Sequence, residues 1–269
     1  MLIQPDALGL DVPLAGYTWI DLEEIVAASP GAMMQTGGVG RHARQELIQE
    51  LTGFSYPPDA ALAEKGSGET QLIFPAKISN LFVQFARLEP LRENIIEFSS
   101  RFGRLGVMSP EGYETLSAWI SEILSFGRAY RLWVAIKQND KKALEEVLDE
   151  SHTVIIPIYR GSMIDKTPGN LHVIALHEIE THLNLAFAEH PFYGEAYLNT
   201  DSANLDLAFR PKNLISLIWI QFSQVVTNPD RWKICEFCGD PFKPESMKRR
   251  YCNDSHKTRA YQKRKEVTK

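Results

Sequence analysis

The stretch Cys235-Glu236-Phe237-Cys238, followed after thirteen residues (239–251) by Cys252-Asn253-Asp254-Ser255-His256, decides the fold of the C-terminal end. Two cysteines separated by two residues grip one ion from a single tight turn, and Gly239 supplies the backbone freedom that such a knuckle needs. Asn253 and Asp254 are residue types that cap helix N-termini. A helix starting there brings Cys252 and His256, four positions apart, to the same side. Three thiolates and one imidazole complete a tetrahedral site of the structural zinc kind, with no position left for substrate. The apolar content nearby is small: Phe237, Pro241, Phe242 and Tyr251. Metal binding must therefore supply much of the segment's folding free energy, about 10–16 kcal/mol in zinc-finger peptides near neutral pH.

Charge points the same way. Residues 231–269 carry 12 Lys and Arg against 5 Asp and Glu, whereas residues 1–230 carry 17 against 29. All three cysteines of the chain also lie in the basic tail. Lys248, Arg249, Arg250, Lys257, Arg259, Lys263, Arg264 and Lys265 surround or follow the metal ligands, the last five on the expected helix. Cations on a rigid helix beside a metal anchor are the electrostatic footprint of nucleic-acid binding. The expected partner is nucleic acid, with DNA favoured over RNA.

The run Arg249-Arg250-Tyr251-Cys252, followed by His256-Lys257-Thr258-Arg259-Ala260-Tyr261 and a basic helix, resembles the C-terminal zinc fingers of bacterial CGNR-type proteins. It is also similar to bacterial ribbons reading Cys-x-x-Cys-Gly-x-x-Phe, then Arg-Tyr-Cys and a fourth ligand. Cys235, Cys238, Gly239, Phe242, Tyr251, Cys252 and Arg259 stand in the matching places. The resemblance covers about 60 residues and implies a stress-linked transcription regulator that binds DNA. The chain departs from the CGNR pattern itself: His256-Lys257-Thr258-Arg259 stands where Cys-Gly-Asn-Arg would, and the first ligand pair is spaced by two residues rather than four.

Ahead of the finger, Asn228-Pro229 ends a helix and marks a boundary. Residues 1–228 read as an α-rich body that senses a ligand or forms a homodimer, and residues 229–269 as the finger. The fold class is mainly α with a few short strands (α+β). Helices are expected from Ser79 to Phe98, divided by Pro90, and from Ser109-Pro110-Glu111 to about Lys137. Others follow over Asp140–Leu148, Leu171–Glu189 and from Pro211 to Thr227. Short strands are expected at Gln71–Phe74, Thr153–Tyr159 and Leu205–Phe209, with a short helix at Arg41–Leu51. Trp119, Phe126, Tyr130 and Trp133 fall at helical spacing and read as core.

Three further signals are set aside. His177 and His182 are five apart, which turns them about 140° from each other on a helix, so they do not form the zinc pair of a metalloprotease. Gly37-Gly38-Val39-Gly40-Arg41-His42 lacks the Lys-Ser/Thr of a phosphate loop. Asn199–Asp206 lacks the glycine and distal glutamate of a calcium loop and reads as a turn. Composition is globular, with 44% hydrophobic and 23% charged residues. Its strongest apolar stretch, Leu214–Phe222, is far short of the roughly 20 residues a membrane span needs. Three cysteines without a disulfide framework, and no signal-peptide pattern, lead us to expect a cytoplasmic protein without a membrane partner. Two alternatives stand beside the regulator reading: a zinc-stabilised protein–protein module, and a nucleic-acid-processing enzyme with its site in the body.

Overall fold

The residues Leu214–Phe222 are buried on every side of one helix, and the rest of the body is arranged around it. A helix that is apolar all round has no face to give to water and so becomes the centre of a packed layer. The computed structural model describes residues 2–3, 8, 10–13, 15–21, 60–65, 70–78, 80–107, 113–149, 171–199 and 204–267. Within them the chain is mostly helical with a few short strands, an α+β protein. The helices are α1 (Leu81–Ala86), α2 (Arg92–Phe102), α3 (Leu116–Gln138), α4 (Lys141–Asp149), α5 (Leu171–Glu189), α6 (Leu214–Thr227) and α7 (Asp254–Val267). No helix among the described residues is long and apolar enough to cross a membrane.

Phe126 of α3 sits in the middle of the aromatic core with Phe222 of α6. Its ring meets Phe85 at 5.4 Å, Trp219 at 4.7 Å and Phe222 at 5.3 Å, in edge-on arrangements favoured by aromatic quadrupoles. Trp119, Tyr130 and Trp133 are buried with it, so the helical aromatic pattern is a core stripe. Gln221 of α6 is satisfied within this apolar setting: its Nε2 donates to the Ile78 carbonyl (3.0 Å) and its Oε1 accepts from Phe82 N (3.4 Å).

Two helix starts differ from the expected ones. Residues 108–112 lie outside the described residues, but α3 begins at Leu116, where Thr115 Oγ1 accepts from Ala118 N at 3.2 Å. Glu114 just ahead turns inward to accept hydrogen bonds from Gly106 N and Trp119 Nε1, which fixes the entry of the chain. Likewise Pro211 ends a strand, and α6 is opened by Asn213, whose Oδ1 accepts from Ser216 N at 2.9 Å. Asn213 packs against Gly106 (φ +84°), where an added Cβ would sit 2.3 Å from Asn213 Cβ. At that position only glycine meets both the backbone and the space requirement.

Strands β6 (Phe192–Asn199) and β7 (Asn204–Pro211) form an antiparallel pair, and β1 (Leu2–Ile3) adds to β7 in parallel. Antiparallel pairs join β2 (Leu10–Pro13) to β5 (Thr70–Ile73) and β3 (Tyr17–Asp21) to β4 (Ala60–Glu64), in a region whose sequence reads largely as irregular. The expected helix at Arg41–Leu51, the glycine loop at 37–42 and the strand at Thr153–Tyr159 lie outside the described residues.

Glu114 carries a pH prediction. Burial outweighs its hydrogen bonds from Gly106 and Trp119 and pushes the carboxyl from 4.5 up to about 7. The folded state then holds this proton more tightly than the unfolded state. Its contribution to stability is fully present below pH 4.5 and is lost as pH rises to about 7. Glu114→Gln is expected to remove that decline, on the order of 3 kcal/mol, in urea unfolding followed across this range.

Candidate metal centre and basic helix

The knuckle is built by a two-stranded hairpin, β8 (Lys233–Ile234) with β9 (Pro241–Phe242). Its turn is closed by Cys235 N donating to the Asp240 carbonyl (2.8 Å) and Gly239 N donating to the Cys235 carbonyl (2.9 Å). Gly239 takes a left-handed φ of +75°, as the sequence requires. The second ligand pair comes from the start of α7. Asn253 caps that helix, its Oδ1 accepting from His256 N at 2.8 Å, which turns the imidazole back toward the knuckle.

Cys235 Sγ, Cys238 Sγ, Cys252 Sγ and one ring nitrogen of His256 all lie within 4.8 Å of one another. Cys238 Sγ is 3.9 Å from Cys252 Sγ, and Cys235 Sγ is 3.8 Å from His256 Nδ1. Tetrahedral ligands about 2.3 Å from a central ion stand about 3.8 Å apart, so the donor set fits a metal. Phe237 lies against the His256 ring at 5.0 Å and holds its plane. For Cys235, burial pushes the thiol up, but backbone N–H groups of Cys238, Cys252 and Phe237 and a bond from His256 outweigh it and bring it down to about 6. Burial pushes the Cys238 and Cys252 thiols up.

The basic residues divide. Lys248, Lys257, Arg259 and Lys263 are exposed, and their side chains make no partnered contact among the described residues. Lys265 Nζ lies 4.8 Å over the Tyr261 ring. Arg249 differs from the expected phosphate contact: its guanidinium donates to the carbonyls of Tyr251 (3.0 Å) and Cys252 (3.2 Å) and pairs with Glu245 (3.0 Å). Those carbonyls have no strand partner, so the cation is drawn inward to satisfy them. Arg250 pairs with Glu236, whose carboxyl it holds below the usual range, and Arg264 donates to the Tyr251 hydroxyl. On α7, Lys257, Tyr261 and Lys265 form one stripe, with Arg259 and Lys263 about 200° round the cylinder.

The finger is seated on the body. The Trp232 ring meets Phe82 edge-on at 6.0 Å, and Lys137 at the end of α3 donates to the Pro229 carbonyl at 2.9 Å. Arg87, which follows α1, donates to the Cys238 carbonyl (2.8 Å) and pairs with Asp240 (2.5 Å). A groove of about 440 Å³ opens between the end of α3 and the knuckle, lined by Lys137, Trp232, Lys233, Arg249 and Arg250 among others.

The body holds one cluster that the sequence reading missed. Along the α3–α5 interface, Glu122 meets His190 Nε2 (3.1 Å), Ser125 meets His182 Nδ1 (3.0 Å) and Arg128 pairs with Glu178. Glu122, Arg128, His182 and His190 are buried and Glu178 is 12% exposed in its side chain, so the pairs read as a polar seam between helices. His177 faces solvent while His182 is buried, as their spacing of five dictates. The signal was present in the spacing 122, 125, 128, a polar stripe on a largely apolar helix.

Fold and site together define an α+β protein with a Cys3His candidate metal centre from which a basic helix emerges. Comparison with protein-family models, with curated proteins and with solved structures finds no match to this chain.

Proposed function

We propose that this chain is a zinc-dependent DNA-binding protein acting as a transcription regulator, related to the bacterial CGNR-type finger proteins that its C-terminal motif resembles. Zinc is the ion this reading assigns, because three thiolates and an imidazole in a closed four-ligand set suit it best. A cytoplasmic setting goes with it, since three unpaired thiols stay reduced there. The observation that carries the reading is the exposed α7, on which Lys257, Arg259 and Lys263 have no side-chain partner among the described residues and whose first turn is tied to the metal ligands. Lys248, Lys257, Arg259 and Lys263 would neutralise phosphates, and the body would sense a ligand or form a dimer. Phosphate contacts position a protein without reading sequence.

Titrating zinc-loaded protein against labelled random duplex DNA across a salt series tests this. Four phosphate contacts give a log–log slope of about −3.6. The Lys257→Ala/Lys263→Ala variant is expected to reduce the slope by about 2 while keeping its zinc. Arg249→Ala is expected to act instead through the metal turn, with zinc content falling. Weak, salt-independent binding by the wild type, unchanged in a Cys252→Ser variant, removes the reading. The second reading, a protein-interaction module, draws support from the seating of the finger on the body through Arg87 and Trp232. Its signature is flat DNA binding together with a finger that still takes up zinc.

A further inference from the structure

The finger reaches its ligands through a residue 151 positions away. Arg87 lies at the end of α1, where its backbone N–H closes the helix by donating to the Val83 carbonyl. Four residues of that short helix, Leu81, Phe82, Val83 and Phe85, are buried in the body core. Its guanidinium is therefore delivered from a rigid base. It makes two contacts with the knuckle: a hydrogen bond to the carbonyl of Cys238, a metal-ligand residue, and an ion pair with Asp240. A lone ion pair at a surface contributes little. Here the carboxylate is less free than the cation. The Asp240 side chain is 21% exposed. Its charge also reaches the buried Tyr130 of α3, helping burial to push that hydroxyl up. Without Arg87, Asp240 would face the body as a half-desolvated charge with no cation opposite. The Cys238 carbonyl would lose the charged donor that meets it where the knuckle turns. A Cys3His site holding a divalent cation also carries a net charge of −1, which a guanidinium beside it offsets.

We propose that Arg87 is a positioning residue of the metal centre supplied by the body, and that through it metal occupancy of the finger and packing of the body are coupled. The inference rests on the metal reading above and adds the mechanism by which the body senses, or controls, the state of the finger. When the metal leaves, the Cys235–Asp240 turn loosens, the Arg87 contacts are lost, and the α1 edge of the body, against which Trp232 packs, is released. The coupling is reciprocal: anything that shifts α1 changes the metal affinity by the same factor. The joining ion pair also runs opposite to the net charges, with the cation on the acidic body and the carboxylate on the basic finger. Docking of this kind does not engage Lys257, Arg259 or Lys263 of α7.

The test uses the full chain loaded with zinc. Two quantities are read: the rate of zinc transfer to a colorimetric chelator, and the thermal midpoint of the body by tryptophan fluorescence, with and without zinc. The wild type is expected to show a midpoint that rises with zinc. Arg87→Ala is expected to release zinc about 10-fold to 100-fold faster, the usual effect of losing a group that orients metal ligands. Its midpoint should no longer respond to zinc. Arg87→Lys is expected to restore part of the release rate, because both contacts are made by one nitrogen, Nη2, and an ammonium on a more flexible stem keeps the charge but holds that position less firmly. Asp240→Asn keeps the Cys238 carbonyl contact and should fall between the two. Release from Arg87→Ala at the wild-type rate, or a midpoint in that variant that responds to zinc as the wild type does, overturns the proposal. A wild type that takes up no zinc overturns the metal reading and this proposal with it. That failure is recognisable, because Cys252→Ser then matches the wild type in metal content.

Discussion

Cys252→Ser is expected to bring zinc content close to zero and to unfold the finger while the body keeps most of its helix. The size of the effect follows from how little else holds residues 233–267 together. The hairpin has two strands of two residues each. The buried residues of the segment are Cys235, Pro241, Phe242 and Ala260, with the last alone coming from α7. An apolar core of that size does not offset the conformational entropy of ordering the segment. Metal binding, worth about 10–16 kcal/mol in comparable fingers, is the largest single contribution that holds it folded. A serine hydroxyl in place of the Cys252 thiolate removes a charged sulfur ligand and the acceptor that faces His256 Nδ1 at 2.9 Å. The measurement is zinc by mass spectrometry of the native protein, together with amide NMR signals of residues 233–267. Chelation of the wild type should give the same spectrum as the variant. A variant that keeps one zinc per chain and a dispersed finger spectrum would show that these four residues are not the ligand set. The body's fluorescence midpoint should fall by a few degrees, the share of its stability lent by the seated finger.

How far the sequence carries depends on which force decides each element. The metal turn was readable because ligand chemistry admits few spacings, and Cys235, Cys238, Cys252 and His256 come together as those spacings require. Helix α4 was readable because Leu144, Val147 and Leu148 recur at helical intervals, and α6 because its apolar run is bounded by Pro211 and Asn228-Pro229. Helix starts were less so. Ser109-Pro110-Glu111 has every local feature of an N-terminus, yet α3 opens at Leu116 because Glu114 is held in the core by Gly106 and Trp119, groups that no local pattern announces. Strand β6 was missed for a related reason: pairing with β7, not the composition of residues 192–199, makes it a strand. Arg249 reads as one more cation in a basic run. It turns inward because Tyr251 and Cys252 leave carbonyls unpaired beside the metal turn, a need visible only in three dimensions.

Arg128→Met is expected to destabilise the body by about 3–5 kcal/mol, and adding Glu178→Leu is expected to return most of that loss. In the wild type the pair crosses the α3–α5 interface with side-chain exposures of 5% and 12%. Glu178 Oε1 also lies 3.8 Å from His182 Nε2, and His182 Nδ1 meets Ser125 Oγ at 3.0 Å, so one carboxylate organises the middle of the seam. Burial alone would push the Glu178 carboxyl up. The nearby His182 ring, together with the hydrogen bond and the charge of Arg128, outweighs burial and holds it below its usual value. Taking Arg128 away leaves a desolvated carboxylate that must stay unpaired or take up a proton, and either course costs stability. The double variant has no buried charge to compensate and replaces the pair with side chains of similar bulk, which is commonly neutral or stabilising. The pH dependence separates the variants further. Because the folded carboxyl sits lower than the unfolded one, its contribution is present above the unfolded value and is lost as pH falls through the folded value. Urea unfolding at neutral and acid pH should therefore show an acid loss from this site in the wild type and none in the double variant. Equal losses in the single and double variants would mean that packing of the Arg128 stem, rather than its charge, is what α5 requires.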